Sequence, residues 1–219
     1  MKKIAIIGGT GKEGKGLAYR WAKYGHEVVI GSRAVEKAQI AADEVNLLLR
    51  DKKGRVVGLE NSQAADWCDI VVMTVPYEAH ADMLNKLKEI VKGKMFIDVT
   101  VPLVPPKVHL VQLPKSGSAG KEAQAILGEE TPVVMAFQNI SYERLMKDSD
   151  IDCDVLVCGT SKDAREAVLE LVKEGGMTGW DAGPMANSVV VEGLTSVLIY
   201  INKTYGSKEA GIKITGVER

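Results

Sequence analysis

The chain opens with MKKIAIIGGTGKEGKGLAYRW, residues 1–21. The apolar run Lys3–Ile7 stops at a cluster of glycines, and Leu17 and Trp21 then recur at the spacing of one helix face. We therefore predict a buried strand over Lys3–Ile7, a tight glycine turn, and a helix over Gly14–Tyr24. A strand, a turn and a helix in this order form the repeating unit of sheets built from parallel strands.

The rest of the 219 residues repeats this alternation of short apolar runs and helical patterns. Asp69–Val75 (DIVVMTV) is the clearest run, and continuous apolar strands indicate a parallel sheet that is buried on both faces. The order predicts an α/β fold of the Rossmann type, with a doubly wound, mainly parallel sheet and a small C-terminal helical part. The proline-rich connection, residues 101–118, interrupts the rhythm. We assign residues 1–130 to a nucleotide-binding Rossmann domain and residues 131–219 to a C-terminal part that binds substrate and dimerises.

Several further elements are predicted with less regular patterns. We expect a helix over Glu78–Val91, a short strand over Gly179–Asp181 and a long, mostly apolar helix over Asn187–Tyr205. Asn61 is a candidate N-cap for a short helix over Asn61–Trp67. A helix that is apolar on most faces must be buried. We therefore expect the Asn187–Tyr205 helix to lie in the core or in the interface of a homodimer.

The six residues after Gly8 match the pattern G-x-G-x-x-G; they are Gly9, Thr10, Gly11, Lys12, Glu13 and Gly14. Because the pattern follows a strand and opens a helix, it predicts a dinucleotide-binding loop, and we assign all six residues to a cofactor site. Gly9 permits the tight turn, Gly11 lets the backbone approach a pyrophosphate, and Gly14 allows helix and strand to pack closely. The alternative is a glycine-rich turn without a ligand.

Gly31-Ser32-Arg33 stands at the end of the second predicted strand, and Lys37 follows one helical turn later. NAD-binding proteins usually place Asp or Glu here to bind the ribose 2′-hydroxyl, and this chain has neither. Ser32 can donate to a phosphate, Arg33 can pair with it through two hydrogen bonds, and Lys37 adds charge. The set favours NADP over NAD. The alternative is a helix cap at Ser32 followed by solvated charges.

Strand ends supply further cofactor residues, because ligands of open α/β sheets lie outside the carboxyl ends of the strands. Thr74, Val75 and Pro76 end the DIVVMTV strand and are assigned to the cofactor site. Val101 follows the next strand, and we expect it near the nicotinamide. Ordinary strand termination is the alternative explanation for Thr74 and Pro76.

No catalytic side chain stands out in the sequence. None of the three histidines, His26, His80 and His109, is paired with an obvious acid. Asp98 and Asp181 end strands, where an Asp is as often a cap as a base. Direct hydride transfer between two bound cofactors needs little acid–base machinery, because the cofactors carry the chemistry. The three cysteines lack metal-type spacing, and we expect no metal.

Composition limits the classes of partner. The formal net charge of −1 argues against a general affinity for nucleic acid or anionic membranes. The N-terminal apolar run is too short for a signal peptide, and no stretch approaches the roughly 18 apolar residues of a membrane span. Three unpaired cysteines fit a reducing compartment. We expect a cytoplasmic protein whose partner is a small-molecule acceptor or a second cofactor.

Seven segments together resemble one family, the NADPH-dependent reductases of the deazaflavin coenzyme F420, over almost the full length. They are GGTGKEGKGLA (8–18), GHEVVIGSR (25–33), DIVVMTVPYE (69–78), PLVP (102–105), DAGPMANS (181–188), VEGLT (191–195) and GIKI (211–214). The resemblance implies a Rossmann domain with a small C-terminal part, usually dimeric, that passes a hydride between NADP and the deazaflavin. It also implies that Thr10, Ser32, Arg33 and Lys37 hold NADP.

The resemblance further implies a deazaflavin site formed by Gln138, Asn139, Ile140 and Thr195. This chain departs from the family pattern on that side. The family usually has His where Gln138 stands, often Arg at Val189 and often Ser at Gly193. Gln138 can still donate a hydrogen bond, but Gly193 cannot replace a hydroxyl. Val189 removes a cation that could meet the acidic tail of the deazaflavin.

We therefore predict an NADP-dependent oxidoreductase that transfers a hydride between NADP(H) and coenzyme F420. One alternative is an NADPH-dependent reductase of another acceptor, such as a flavin or a small carbonyl or imine compound. The other is a non-catalytic NADPH-binding protein. The first needs a slot for a second cofactor beside the nicotinamide, the second a smaller pocket, and the third binding without turnover.

Overall fold

The computed structural model describes residues 1–50 and 54–217. Within them, a single sheet has the strand order β3-β2-β1-β4-β5-β6-β7-β8. The strands are β1 (Lys3–Ile7), β2 (Glu27–Ser32), β3 (Val56–Glu60), β4 (Ile70–Met73), β5 (Met95–Asp98), β6 (Val133–Met135), β7 (Asp154–Gly159) and β8 (Thr178–Pro184). Strands β1 to β6 run parallel, β7 is antiparallel to β6, and β8 is parallel to β7. This Rossmann order confirms the predicted fold class.

Helices cover both faces of the sheet. They are α1 (Lys12–Tyr24), α2 (Val35–Leu49), α3 (Asn61–Trp67), α4 (Tyr77–Leu87), α5 (Ala119–Leu127), α6 (Tyr142–Leu145), α7 (Lys162–Glu174) and α8 (Ser188–Tyr205). Helices α1, α2 and α7 bury apolar side chains against one face, and α3, α4 and α5 against the other. From β1 the chain forms β2 and β3 on one side and then crosses to β4 on the other side of β1. Ligands bind in the crevice that such a switch point opens.

Trp21 anchors α1 to the C-terminal half of the chain. The side chain is fully buried, and its ring meets Phe137 edge-on with centroids 5.6 Å apart. Its Nε1 donates a hydrogen bond to the Leu171 carbonyl oxygen at 2.9 Å. These contacts hold the glycine loop, which precedes α1, at a defined place relative to the turn after β6.

The bounds of α4 and β8 differ most from the sequence prediction, and those of α1, β4 and α8 differ by one or two residues at an end. Helix α4 ends at Leu87 instead of Val91, because the N–H groups of Ile90 and Val91 both bond to the Leu87 carbonyl and close the helix. Strand β8 is longer than predicted and covers Thr178–Pro184 instead of Gly179–Asp181. As an edge strand it is only partly buried, so its sequence shows no continuous apolar run.

Helix α8 is not buried on all sides within one chain. Glu192 on its inner face is buried, whereas Val190, Val197 and Ile201, which we call the apolar stripe, are 63%, 44% and 37% exposed. By length and composition alone, Met185–Tyr205 is long and apolar enough to cross a membrane. The expectation that no segment of the chain meets this criterion was therefore wrong.

Candidate functional site

Two cavities adjoin at the carboxyl ends of the strands. The loop cavity has a volume of about 750 Å³ and lies between the glycine loop, the end of β2 and the start of α4. The β6 cavity has a volume of about 490 Å³ and lies between the turn after β4, the turn after β6 and α8. Thr74, Val75 and Pro76 line both cavities, as expected for residues that end a central strand.

The three glycines of the fingerprint have different surroundings. A Cβ on Gly9 would lie 2.7 Å from the Ile6 carbonyl oxygen, and a Cβ on Gly14 would lie 2.5 Å from the Cα of Gly9. A Cβ on Gly11 would meet no atom of the described chain within 4 Å, and its φ of −74° suits any residue. Gly9 and Gly14 are therefore required by the fold. The space at Gly11 is open to an anion that approaches the amino end of α1.

Asn61 supports the glycine loop and does not cap its helix as predicted. Glu60 is the N-cap, and its carboxylate accepts the Ser62 N–H at 2.7 Å. Asn61 is buried, its Oδ1 accepts the Gly8 N–H at 3.2 Å, and it lines the loop cavity. The two residues are 53 positions apart, so no local pattern could show this contact. The sequence feature that could have indicated it is an Asn that directly follows β3, the strand beside β2.

Positively charged side chains line the loop cavity. Ser32, Arg33 and Lys37 line it as predicted, and Lys86 of α4 joins them. Ser32 Oγ accepts the N–H two residues further on at 3.3 Å and can still donate its own proton. Asp82 is the acid that the described residues contribute to this lining. Three cations against one acid make this cavity attractive to an anionic group.

Lys12 and Glu13, the two middle residues of the fingerprint, do not line the loop cavity. The Lys12 ammonium lies 4.5 Å from the centroid of the Tyr142 ring and 3.9 Å from a Glu143 oxygen. Glu13 lines the β6 cavity instead. The sequence prediction placed both residues in one site with Thr10 and Gly11, and the structure separates them.

The β6 cavity brings together Val101, Gln138, Asn139, Ile140 and Thr195, which come from three separate segments. The turn after β6 begins at Phe137, whose φ of +75° lies in the left-handed region. That conformation costs a non-glycine residue about 1–3 kcal/mol and is typical of functional sites. Thr195 Oγ1 donates to the Gln138 carbonyl oxygen at 2.7 Å. Helix α8 therefore holds the strained turn in position.

Gln138 presents an unpaired acceptor at this cavity. Its Nε2 donates to the Asp98 carbonyl oxygen at 2.7 Å, and the residue is only 5% exposed. Its Oε1 is buried and receives no hydrogen bond from residues 1–50 or 54–217. Such an oxygen costs about 1–3 kcal/mol until it is satisfied. One N–H of the Gln138 amide bonds within the protein, and its buried Oε1 is left as an acceptor for a ligand.

Val189 and Gly193 do not line the β6 cavity. A Cβ on Gly193 would lie 3.6 Å from Val111 Cγ1, so this position faces the proline-rich connection. Lys208, which follows α8, is the cationic side chain that the described residues contribute to the lining. A cation from the C-terminal segment therefore reaches the cavity, although position 189 carries none.

A pair of fully buried titratable groups lies beside the β6 cavity. His80 Nε2 and Asp98 Oδ2 are 2.7 Å apart, and Asp98 Oδ1 accepts the N–H of the cavity-lining Thr100 at 2.9 Å. Burial is the largest single influence and favours the neutral imidazole, but the charge and hydrogen bond of Asp98, with the charges of Glu122 and Glu192, together raise the pKa of His80. Sequence analysis missed this pair because its members belong to different elements. The sequence feature that could have indicated the pair is that Asp98 ends β5, the strand that follows α4, and that α4 carries His80.

Two other titratable groups near the site, Glu192 and Tyr77, have partners in the fold. Glu192 accepts the N–H groups of Ala119 and Gly120 at 2.8 and 3.0 Å, and burial raises its pKa to about 7 despite these bonds. Tyr77 donates to Glu122 at 3.0 Å.

In the described part of the chain, no three His, Cys, Asp or Glu side chains converge as a metal site would require.

The chain is similar in sequence and in structure to known proteins. Residues 3–102 match the family model described as NADP oxidoreductase, coenzyme F420-dependent. The F420-dependent NADP reductases of Methanocaldococcus jannaschii and Methanothermobacter marburgensis are 39% and 37% identical to this chain, over 99% and 98% of its length and 99% of theirs. A crystal structure of a candidate F420-dependent NADP reductase from an Arthrobacter species has a TM-score of 0.79 at 27% identity, and the match covers 99% of this chain and 100% of that one.

Proposed function

Because the chain belongs to the family of coenzyme F420-dependent NADP oxidoreductases, we propose that it transfers a hydride between NADP(H) and coenzyme F420. The observation that carries the proposal is the pair of adjoining cavities. They share the wall formed by Thr74, Val75 and Pro76. Ligands bound in two cavities that share lining residues lie next to each other, and direct hydride transfer requires such proximity.

We assign the loop cavity to the dinucleotide. The N–H groups at the amino end of α1, which are reached past Gly11, would hold its pyrophosphate. Ser32, Arg33 and Lys37 would hold the 2′-phosphate, with Lys86 adding charge. When bound, the nucleotide supplies or accepts the hydride. The side chains of this cavity act by holding it and by selecting NADP over NAD.

We assign the β6 cavity to the deazaflavin. Gln138 Oε1 would accept a hydrogen bond from it, and Lys208 would face its acidic tail in place of the cation absent at Val189. Thr195 acts through the backbone of Gln138. In this assignment residues 1–130 hold the nucleotide, and residues 131–219 supply most of the groups specific for the deazaflavin.

The proposed activity is tested by mixing the protein and NADPH with a panel of acceptors and following the absorbance of NADPH. We expect oxidation of NADPH with coenzyme F420. Turnover with a flavin, a carbonyl or an imine compound but not with F420 would instead support a reductase of another acceptor. Tight binding of NADPH without oxidation by any acceptor would support a non-catalytic protein.

Replacement of Arg33 should reduce the preference for NADPH over NADH. Arg33→Ala removes a charged donor from the assigned 2′-phosphate site, and we expect the binding free energy of NADPH to weaken by about 1.5–3 kcal/mol. The affinity for NADH should hardly change, because NADH carries a hydroxyl at that position. Titrations of both nucleotides by protein fluorescence measure the two affinities.

Lys88→Ala is the matched control for Arg33→Ala. It removes a positive charge from the surface just after α4, outside the lining of both cavities. We expect its NADPH affinity to equal that of the wild type. An equal loss of NADPH and NADH affinity in Arg33→Ala would remove the argument for a 2′-phosphate site.

We propose that a second copy of the chain covers the apolar stripe of α8. The inner face of this helix is already committed to the protein through Glu192, which bonds the amino end of α5. A single apolar stripe is therefore left, and it suits a protein interface better than a lipid environment on all sides. Sedimentation should show a dimer, and Ile201→Glu should convert it to a monomer. A wild-type monomer at micromolar concentration would contradict this proposal.

We also propose that the protein is cytoplasmic. The three cysteines are free and buried, which fits a reducing compartment. Fractionation of cells that express the protein tests this location, and recovery in the membrane fraction would contradict it.

A further inference from the structure

Glu13 belongs to the glycine fingerprint, but its side chain lines the β6 cavity beside Val75, Thr100 and Gln138. The residue is partly exposed, yet its Oε1 is shielded from solvent and receives no hydrogen bond from the described chain. An unpaired, shielded carboxyl oxygen is costly when the group is ionised. The surroundings of Glu13 therefore favour the protonated acid in the absence of a ligand.

The elements packed around Glu13 do not neutralise its charge. The titratable groups that line the β6 cavity with Glu13 are Tyr77 of α4, Tyr142 of α6 and Lys208 of the C-terminal segment. Lys12 and Lys15, its neighbours on α1, pair with Glu143 of α6 and Glu44 of α2. Burial is the cause that raises the pKa of Glu13, to about 8. The amino end of α1 acts in the opposite direction, because its partial positive charge favours a carboxylate. A change of one charge nearby can therefore decide the protonation state.

We propose that Glu13 binds a proton when the reduced nicotinamide lies at the wall between the two cavities and releases it when the oxidised nicotinamide lies there. This inference rests on the assignment of NADP(H) to the loop cavity. The oxidised ring carries a positive charge that attracts a carboxylate, whereas the reduced ring is neutral and leaves the acid protonated. Glu13 thus acts as a proton-holding group matched to the redox state of the nucleotide.

The proton balance of the reaction agrees with this role. Reduction of a deazaflavin by NADPH adds two hydrogens to the acceptor, one as a hydride with its electron pair and one as a proton. The hydride leaves the nicotinamide, which becomes positively charged. The Glu13 carboxyl loses its proton at the same stage and becomes a carboxylate beside that charge. The proton it releases balances the one that the reduced deazaflavin gains, and the reverse reaction returns it.

The proposal is tested by measuring protons released on binding, without any turnover. NADP+ and NADPH are each titrated into the protein by calorimetry near pH 7, in buffers of different ionisation enthalpy. We expect NADP+ binding to release more protons than NADPH binding, by more than about half a proton per site. The 2′-phosphate is common to both nucleotides, so its own titration cancels in this difference.

Glu13→Gln should abolish the difference in proton release while both nucleotides still bind. Glu143→Gln is the control, because it removes a neighbouring carboxyl that does not line the β6 cavity and should keep the wild-type difference. A difference that survives in Glu13→Gln, or equal release for both nucleotides in the wild type, overturns the inference while leaving the proposed function intact. Failure of the wild type to bind either nucleotide would refute the proposed function itself.

A second measurement does not depend on a variant that folds. Carbon-13 NMR of labelled glutamate carboxyls in the wild type should show one group that titrates at least one pH unit lower with NADP+ than with NADPH. The ratio of NADP+ to NADPH affinity should accordingly rise with pH through the same range. Identical titration of every glutamate in the two complexes would overturn the proposal.

Discussion

Gly11→Val should leave the protein folded and remove its measurable affinity for NADPH. A side chain at this position meets no atom of the described chain within 4 Å, and the φ of −74° suits valine. The same side chain would fill the space through which a pyrophosphate approaches the amino end of α1. We expect the dissociation constant to rise at least about 100-fold, or about 2.7 kcal/mol. Fluorescence titration measures the affinity, and the free energy of unfolding should fall by no more than about 1 kcal/mol.

Gly14→Ala is the contrasting variant in the same loop. Its Cβ would lie 2.5 Å from the Cα of Gly9, so the backbone must shift, and we expect a loss of about 1–3 kcal/mol in stability. Chemical denaturation should therefore separate the two glycines, one needed for ligand space and the other for packing. Normal NADPH binding by Gly11→Val would contradict the assignment of the pyrophosphate to this loop.

Asp98→Ala should destabilise the protein by about 3–5 kcal/mol at pH 6, because it leaves a buried His80 without its partner. It also removes the acceptor of the Thr100 N–H. Asp98→Asn is the matched control: its amide oxygen can still accept from Thr100, so we expect a loss of about 1–2 kcal/mol. Chemical denaturation of both variants measures the difference. Equal losses would show that the hydrogen bond from the Thr100 N–H, which Asp98→Asn retains, contributes little.

The stabilising effect of Asp98 should depend on pH in a defined direction. The pKa of His80 is raised in the folded protein, since the charge and hydrogen bond of Asp98, with the charges of Glu122 and Glu192, together outweigh the effect of burial. The stability gained from the protonated pair is therefore fully present below the unfolded pKa of about 6.5. It is lost as pH rises through the higher folded pKa. The gap between wild type and Asp98→Asn should be wider at pH 6 than at pH 9, and a gap that widens with pH would contradict the charged pair.

The sequence was sufficient for the features that depend on short spacings. Continuous apolar runs predicted the parallel strands, and the glycine pattern placed a loop before α1. Ser32, Arg33 and Lys37 lie within six residues of one another. The turn after β2 and the first turn of α2 are therefore enough to bring their side chains together. All three line the loop cavity in the structure.

Contacts between distant elements could not be obtained in this way. The local context of Asn61 predicts a helix cap, whereas its side chain accepts the Gly8 N–H, which lies in the loop after β1. Lys86 joins these residues only because α4 and the end of β2 line the same cavity. Such proximity depends on how crossover helices stack on the sheet, and no spacing along the chain records it.

By itself, the sequence determined the class of fold, the glycine loop and the local cluster of Ser32, Arg33 and Lys37, because periodicity and local charge are properties of short segments. Only the tertiary structure decided that Glu13 faces the second cavity while Gly11 opens to the first, and that His80 is paired with Asp98. The physical reason is that the direction of a side chain at a helix end, and the burial that sets its protonation, depend on every element packed around it.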